Sequence, residues 1–160
     1  MELCYSVWTP RDTRNPSIKK VVAFGFQAFV QNYLIEHFNS NFFNRNKGFV
    51  VAEYVRIVKN TLGVANPDTK HIEDLHDLGY LPLELKAVEE GTLVPVKCPM
   101  LTIQNTNPKF FWLTNYIETL ASTELWQPST SATISNEYRK ILETAAEKTG
   151  GSKEFVQFQG

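Results

Sequence analysis

The sequence predicts an α+β fold, in which helices accompany a small antiparallel or mixed sheet. Three short runs rich in Leu, Val, Ile and Thr follow one another between residues 83 and 106, and segments of helical periodicity precede and follow them. No internal repeat, low-complexity tract or linker interrupts the 160 residues. We therefore expect a single region spanning 1–160, and a chain of this length typically buries roughly 68–70% of its unfolded surface.

The first half of the chain is predicted to contain one strand and three helical segments. The run LCYSVW at residues 3–8 is prone to β structure, and Asn15-Pro16 supplies a cap and a preformed first turn for a long helix over Ser17–Phe38. Because that segment is apolar on most sides, we expect it to be buried. A second helix is predicted over Lys47–Leu62 with a stop at Gly63, and HIEDLHDLG forms a short helix or helical turn.

The second half supplies the sheet and two more helices. The predicted strands are LELKAV, TLVPV and MLTIQNT, and Pro95 places the middle one toward an edge. Asn107-Pro108 opens the next helix, which we expect to end in a loop at WQPSTSAT. An amphipathic helix then follows, and EFVQF is predicted to be a last short strand. The apolar residues in line on that helix are Ile134, Tyr138, Ile141, Leu142 and Ala145.

Composition excludes several classes of protein. Sixteen Lys and Arg against 17 Asp and Glu give a formal net charge of -1, so a general nucleic-acid binder is a poor fit. No segment reads as a secretory signal or approaches the roughly 20 apolar residues of a membrane span. Cys4 and Cys98 lie far apart in the sequence and fit no metal-binding spacing. Two such cysteines in a chain of this length favour reduced thiols, and together with the lack of a long apolar run we expect a cytoplasmic protein without a membrane segment.

The sequence contains no recognisable catalytic or metal centre. His71 and His76 are five residues apart, so they fall on different faces of a helix, and we expect solvent-facing or capping roles for them. His37 lies in an apolar segment and is predicted to be a core histidine. No glycine-rich phosphate loop and no G-x-S-x-G motif is present.

Two features stand out as candidate sites. Arg11, Arg14, Lys19 and Lys20 surround the start of the predicted long helix, where they form either a solvated surface or, with the helix N-terminus, an anion site. The second feature is Phe110-Phe111-Trp112 at a helix start, where at least one ring must point away from its own core. Either another layer of this domain or another chain would then cover it.

The segment LGYLPLELKAVEEGTLVPVKCPMLTIQNTNPKFFWLTNYIETL resembles one family closely. Its Leu-Pro, Glu-x-Lys-Ala-Val-x-Glu-Gly, Asn-Thr-Asn-Pro and Trp-Leu-Thr-Asn runs match, in order, the N-terminal part of nicotinamide phosphoribosyltransferase. The match continues through WQPSTSATISNEYRKIL and back to YSVWTPRDTR, so it covers nearly the whole chain. Nicotinate phosphoribosyltransferase is the nearest competitor, and its relatives match the Trp-Leu-Thr-Asn register less well.

This resemblance implies a pentosyltransferase that converts nicotinamide and phosphoribosyl pyrophosphate to nicotinamide mononucleotide and pyrophosphate in NAD salvage. It implies Mg²⁺, ATP coupling through a phosphorylated histidine, and a homodimer with shared active sites. It also implies an α/β barrel, largely absent here, that carries most of the chemistry. Phe110, Phe111, Trp112 and Asn115 would then pack between layers or against the partner subunit.

Few site residues carry over from the family to this sequence. Tyr5, Ser6 and Arg11 match a family pattern whose arginine holds phosphate or pyrophosphate, and Arg14 stands near a family lysine. The segments expected to hold the catalytic residues, the nicotinamide pocket and the phosphorylated histidine are not found in these 160 residues. The resemblance thus predicts a chain that is inactive alone. The alternative is a stand-alone, non-catalytic module that keeps the fold for dimerisation or interaction.

Overall fold

The computed structural model of the chain describes residues 2–159 and has the α+β architecture that the sequence predicts. Five strands lie at β1 Tyr5–Trp8, β2 Lys20–Val22, β3 Leu83–Ala87, β4 Leu93–Pro95 and β5 Leu101–Asn105. The helices are α1 Phe26–Phe29, α2 Lys47–Leu62, α3 Lys70–Leu78, α4 Leu113–Thr149 and α5 Lys153–Gln159. Helix α1 continues in wider π-helical turns over Val30–His37 and Asn39–Phe43, and a 3₁₀ turn at Pro108–Phe110 precedes α4.

The strands form two small sheets. One has the order β1-β5-β3, and the other pairs β2 with β4 in antiparallel register, with Val21 opposite Val94. Because a two-stranded ladder consists only of edges, Pro95 lies on an edge strand as predicted.

The chain divides into two compact units. The first comprises the residues up to Tyr5 together with Gln27–Glu84 and Ile103–Tyr116, and the second comprises Ser6–Phe26, Leu85–Thr102 and the residues from Ile117 onward. Buried apolar side chains in the first unit include Phe29, Leu34, Ile72, Leu75, Ile103, Phe110 and Leu113. Those in the second include Val22, Phe26, Val94, Met100, Leu101, Ile117 and Leu125.

Helices α2 and α3 confirm two of the predicted segments. The Asn46 side chain accepts a hydrogen bond from the Phe49 amide at the start of α2, and Gly63 ends α2 in the left-handed conformation at φ 69°. Helix α3 covers the predicted HIEDLHDLG segment up to Leu78, has Gly79 as its C-cap, and buries Ile72 and Leu75.

The predicted long helix over Ser17–Phe38 is wrong over its first nine residues, 17–25. Lys20–Val22 instead form β2 against β4, and helical structure begins only at Phe26. Short apolar runs fit both periods, so pairing with a partner strand decides between them. Gly25, at φ 97°, then interrupts any continuous helix. His37 is exposed and bonded to Asn41, so its predicted core position is also wrong.

Two predictions near the C-terminus are also wrong. WQPSTSAT is not a loop, because α4 runs unbroken from Leu113 to Thr149 with Pro128 inside it. EFVQF lies in helix α5 rather than in a strand, and only Val156 of this run is buried. On α4, the aligned Ile134, Tyr138 and Ile141 are 45%, 60% and 64% exposed, so the described residues of the second unit leave this apolar face largely uncovered.

Candidate functional site

A cleft with two adjoining lobes lies within the second unit, between the segment after β1 and the middle of α4. The Arg11 lobe has a volume of about 530 Å³ and is lined by Arg11, Asp12, Glu118, Ser122, Trp126 and Thr130, among others. The Arg14 lobe has a volume of about 590 Å³, with Asp12, Thr13, Arg14, Ile18, Trp126 and Thr130 in its wall. Asp12, Val21, Trp126 and Thr130 line both lobes. Volumes of this size are typical of small-molecule sites.

Backbone and hydroxyl contacts hold the first wall of the cleft. The Lys97 amide donates to the Pro10 carbonyl at 2.8 Å, which fixes the chain where it leaves β1. The Thr13 hydroxyl lies 2.8 Å from the Asn15 carbonyl and 2.9 Å from the Ile18 carbonyl. The segment that carries Arg11 and Arg14 is thus ordered by its own hydrogen bonds rather than by a helix.

The second wall is fixed because α4 is bonded to β2 and the residues after it. The Thr133 hydroxyl accepts from the Val22 amide at 2.9 Å and donates to the Ser129 carbonyl at 2.6 Å. The Ser129 hydroxyl donates to the Phe24 carbonyl at 3.0 Å and accepts from the Phe24 amide. Both hydroxyls are buried and satisfied, so they set how the helix faces the cleft.

The charges in the cleft are mixed. Arg11 and Arg14 are exposed, and within residues 2–159 neither guanidinium has an ion-pair partner. The Asp12 carboxylate accepts from the Thr13 amide at 2.8 Å, and Glu118 adds a second carboxylate to the Arg11 lobe. The Arg11 lobe is therefore better suited to an anion in complex with a metal cation than to a free anion.

The structure brings together only part of the predicted basic cluster. Arg11 and Arg14 line adjoining lobes, whereas Lys19 and Lys20 are exposed and line neither. The predicted role of a helix N-terminus is wrong, because no helix begins at Asn15-Pro16. Asp12, Glu118 and Trp126 were missed by the sequence reasoning. Trp126 opens the run WQPSTSAT that the sequence predicts to be a loop, so no local signal in the sequence places it in the wall of a cleft.

The predicted aromatic residues lie in the first unit and differ in burial. Phe110 is buried, Trp112 is half-buried, and Phe111 and Asn115 are exposed. One of the three rings does point away from the core, as expected for an all-aromatic helix entry. Coverage of Phe111 and Asn115 by a partner chain stays a prediction.

His71 lies inside an aromatic cluster rather than in the predicted solvent-facing or capping position. Its ring centroid is 4.9 Å from that of Trp112, 5.4 Å from Tyr54 and 6.0 Å from Tyr116. The hydroxyls of Tyr54 and Tyr116 are 3.3 and 3.4 Å from its Nε2. Burial, followed by the neighbouring Tyr116 hydroxyl, raises the pKa of Tyr54 to about 12.

No group of three or more His, Cys, Asp or Glu side chains in the described part of the chain could hold a metal ion. Cys4 and Cys98 are both free thiols. None of the helices described is both long and apolar enough to cross a membrane.

Comparison with known proteins supports the resemblance read from the sequence. No family model matches the chain. It is 49% identical over 164 residues to the nicotinamide phosphoribosyltransferase of Acinetobacter baylyi, an alignment that covers 99% of this chain and 32% of that protein. The enzyme of the same name from Mycoplasma genitalium is 29% identical over 183 residues, covering 99% of this chain and 40% of that protein.

A solved structure shares the fold. Human nicotinic acid phosphoribosyltransferase superposes with a TM-score of 0.61 over 88% of this chain and 24% of that one, at 20% identity. At this identity the similarity concerns the fold alone. The chain spans 32% and 40% of the lengths of these two curated relatives, each of which aligns with 99% of this chain. Along nearly all of its residues, the chain is a homologue of part of nicotinamide phosphoribosyltransferase.

Proposed function

We propose that this chain forms part of a nicotinamide phosphoribosyltransferase, a pentosyltransferase that transfers the phosphoribosyl group of phosphoribosyl pyrophosphate to nicotinamide and releases pyrophosphate in NAD salvage. The proposal rests on the 49% sequence identity to a protein of that name, in an alignment that covers 99% of the chain. The cleft supplies a matching chemical feature, since an unpaired guanidinium in a concave site suits phosphate oxygens.

Arg11 is the residue to which we assign phosphate or pyrophosphate binding. It projects from the ordered segment after β1 and lines a lobe large enough for a small phosphorylated substrate. Asp12 and Glu118 would repel a bare pyrophosphate, but they suit its magnesium complex, because Mg²⁺ binds one or two carboxylates together with substrate phosphates. In this proposal Mg²⁺ enters with the substrate.

The remaining properties of the proposed enzyme rest on the family resemblance. They are a homodimer with shared active sites, coupling to ATP and a cytoplasmic location. The exposed Tyr138 and Ile141 on α4, which line neither lobe of the cleft, support a larger assembly, since exposed apolar side chains that lie together are usually covered. Because the chain spans about a third of its relatives, we expect no turnover from these 160 residues alone.

A chimera tests the activity and the role of Arg11 together. The aligned region of the Acinetobacter relative would be replaced by this chain, and product formation measured with nicotinamide and, separately, with nicotinate. We expect turnover of nicotinamide. Arg11→Gln should raise the KM for phosphoribosyl pyrophosphate at least about tenfold, because a charge-assisted hydrogen bond is lost.

Lys148→Gln, an exposed cation in the last turn of α4, is the matched control and should leave the KM unchanged. A folded chimera that prefers nicotinate would favour the nicotinate enzyme, whose human form shares this fold. A folded chimera that turns over neither substrate would leave the non-catalytic interaction module as the better account. An unchanged KM in Arg11→Gln would refute the assignment of Arg11.

A further inference from the structure

We propose that the Arg14 lobe is a second ligand site, which binds a nucleotide through its ring, sugar and phosphate. This inference goes beyond the proposed function, because it concerns the Arg14 lobe, which shares Trp126 with the Arg11 lobe but is not lined by Arg11. Three kinds of group meet there, in one cavity of about 590 Å³: an aromatic plane, a guanidinium and a carboxylate.

Trp126 supplies the plane. Its side chain is 56% exposed, and no other ring within the described residues packs against it. Indole rings are highly buried on average, so one left open on a cavity wall calls for something to cover it. Bases of any identity stack on such a ring, because every base has a π face.

Arg14 supplies the positive charge. It is exposed, lines the lobe and forms no ion pair with any described residue. The planar guanidinium matches a phosphate with two parallel N–H donors. Thr130, one turn after Trp126 on α4, lines the same lobe, and its hydroxyl is a further donor group.

Asp12 distinguishes a nucleotide from a free phosphate ion. Its carboxylate is held by the Thr13 amide at 2.8 Å and lines the lobe beside Arg14. A carboxylate repels a bare phosphate, but it accepts hydrogen bonds from the hydroxyls of a sugar. The lobe thus complements a ring, a hydroxylated sugar and one phosphate together better than any one of them alone.

Calorimetric titration of the 160-residue chain with AMP tests this proposal, with adenosine and inorganic phosphate as partial probes. We expect AMP to bind with a stoichiometry of one, at least about tenfold more tightly than either partial probe. Arg14→Gln and Trp126→Ala should each weaken AMP binding about tenfold. Arg11→Gln and Lys148→Gln should change it less than about twofold. All four side chains are exposed, and circular dichroism checks that each variant folds.

Several results would overturn the proposal. AMP binding no tighter than phosphate binding would indicate that only the phosphate is recognised. An unchanged AMP affinity in folded Arg14→Gln would show that Arg14 does not contact the phosphate, and an unchanged affinity in folded Trp126→Ala would show that the base does not stack on the indole. Equal losses in Arg11→Gln and Arg14→Gln would mean one shared site. Absence of AMP binding, with an altered oligomeric state in Trp126→Ala, would assign the indole to a protein interface. Magnesium pyrophosphate binding that depends on Arg11 is a separate measurement, so the proposed function and this inference fail independently.

Discussion

The imidazole of His71 on α3 meets the indole of Trp112 edge to face, with ring centroids 4.9 Å apart and planes at 90°. Trp112 in turn lies 4.7 Å from Tyr116, so the ring that opens α4 is fixed on two sides within the first unit. This cluster explains how Trp112 is accommodated at the start of a helix. It leaves the adjacent Phe111 exposed.

Trp112→Ala should lower the free energy of unfolding by about 2–3 kcal/mol, because a half-buried indole and its ring contacts are lost. Phe111→Ala is the matched control: the neighbouring ring is exposed, so the loss should stay below about 1 kcal/mol. Urea unfolding measures both variants. Equal losses would mean that Trp112 does not anchor this entry. A change of oligomeric state in Phe111→Ala, seen by sedimentation, would support the predicted coverage by a partner.

Tyr54 should make the stability of the chain depend on alkaline pH. Burial first, and then the Tyr116 hydroxyl, raises the pKa of Tyr54 to about 12, above the ordinary value of about 10. A raised pKa favours the neutral phenol in the folded state. This contribution is fully present below about pH 10 and is lost as the pH rises through about 12. Urea unfolding should therefore show that the free energy of unfolding falls less between about pH 9 and about pH 11.5 in Tyr54→Phe than in the wild type.

Tyr138 is exposed, so Tyr138→Phe serves as the control and should lose as much unfolding free energy over this pH range as the wild type. Absorbance of the phenolate in a direct pH titration gives a second readout, since Tyr54→Phe should remove the last ionisation. If the two variants lose stability identically over this range, the phenol of Tyr54 is not linked to folding.

How far the sequence could predict the structure depends on whether a residue's partners are local. Helices α2 and α3 followed from their periodicity and from the glycines Gly63 and Gly79 that end them, which are local signals. The helical path through Gln127–Thr133 could not be predicted. A proline and four Ser or Thr residues are typical of a loop. The Ser and Thr hydroxyls compete with the helical backbone for hydrogen bonds, and proline has no backbone N–H to donate.

Here the decisive partners are distant in sequence. Ser129 and Thr133 bond to the backbone at Phe24 and Val22, more than 100 residues away along the chain. The same limitation applies to the cleft. Arg11 and Arg14 were visible as charges, whereas the Trp126 side of each lobe exists only because α4 is fixed to β2 in this way.

Gly25→Ala should destabilise the protein through two separable effects. Gly25 has φ 97°, and a Cβ atom added there would lie 2.7 Å from Cγ of Pro128, too close for a carbon contact. Strain alone costs about 1–3 kcal/mol, and the clash adds to it. Gly91→Ala is the control, because φ is 88° and nothing lies within 4 Å of the added atom. Chemical unfolding should show the larger loss for Gly25→Ala, partly restored by adding Pro128→Ala. Equal losses with no restoration would leave backbone strain as the whole effect.

Asp74 should contribute stability that disappears in acid. Its carboxylate pairs with Lys109 at 2.8 Å and with Lys70, and these hydrogen bonds, that of Lys109 first, hold the pKa of Asp74 below its ordinary value. A lowered pKa favours the charged form in the folded state, so the contribution is present above about pH 3.9 and fades as the pH falls through the lower folded pKa. Between about pH 6 and about pH 2.5, Asp74→Asn should lose less unfolding free energy than the wild type. Added salt should reduce this difference between the two proteins, because the lysine partners are exposed and their charges are screened. Glu89→Gln, at an exposed turn position, should behave like the wild type. An acid loss unchanged in Asp74→Asn would mean that other carboxylates control the acid transition.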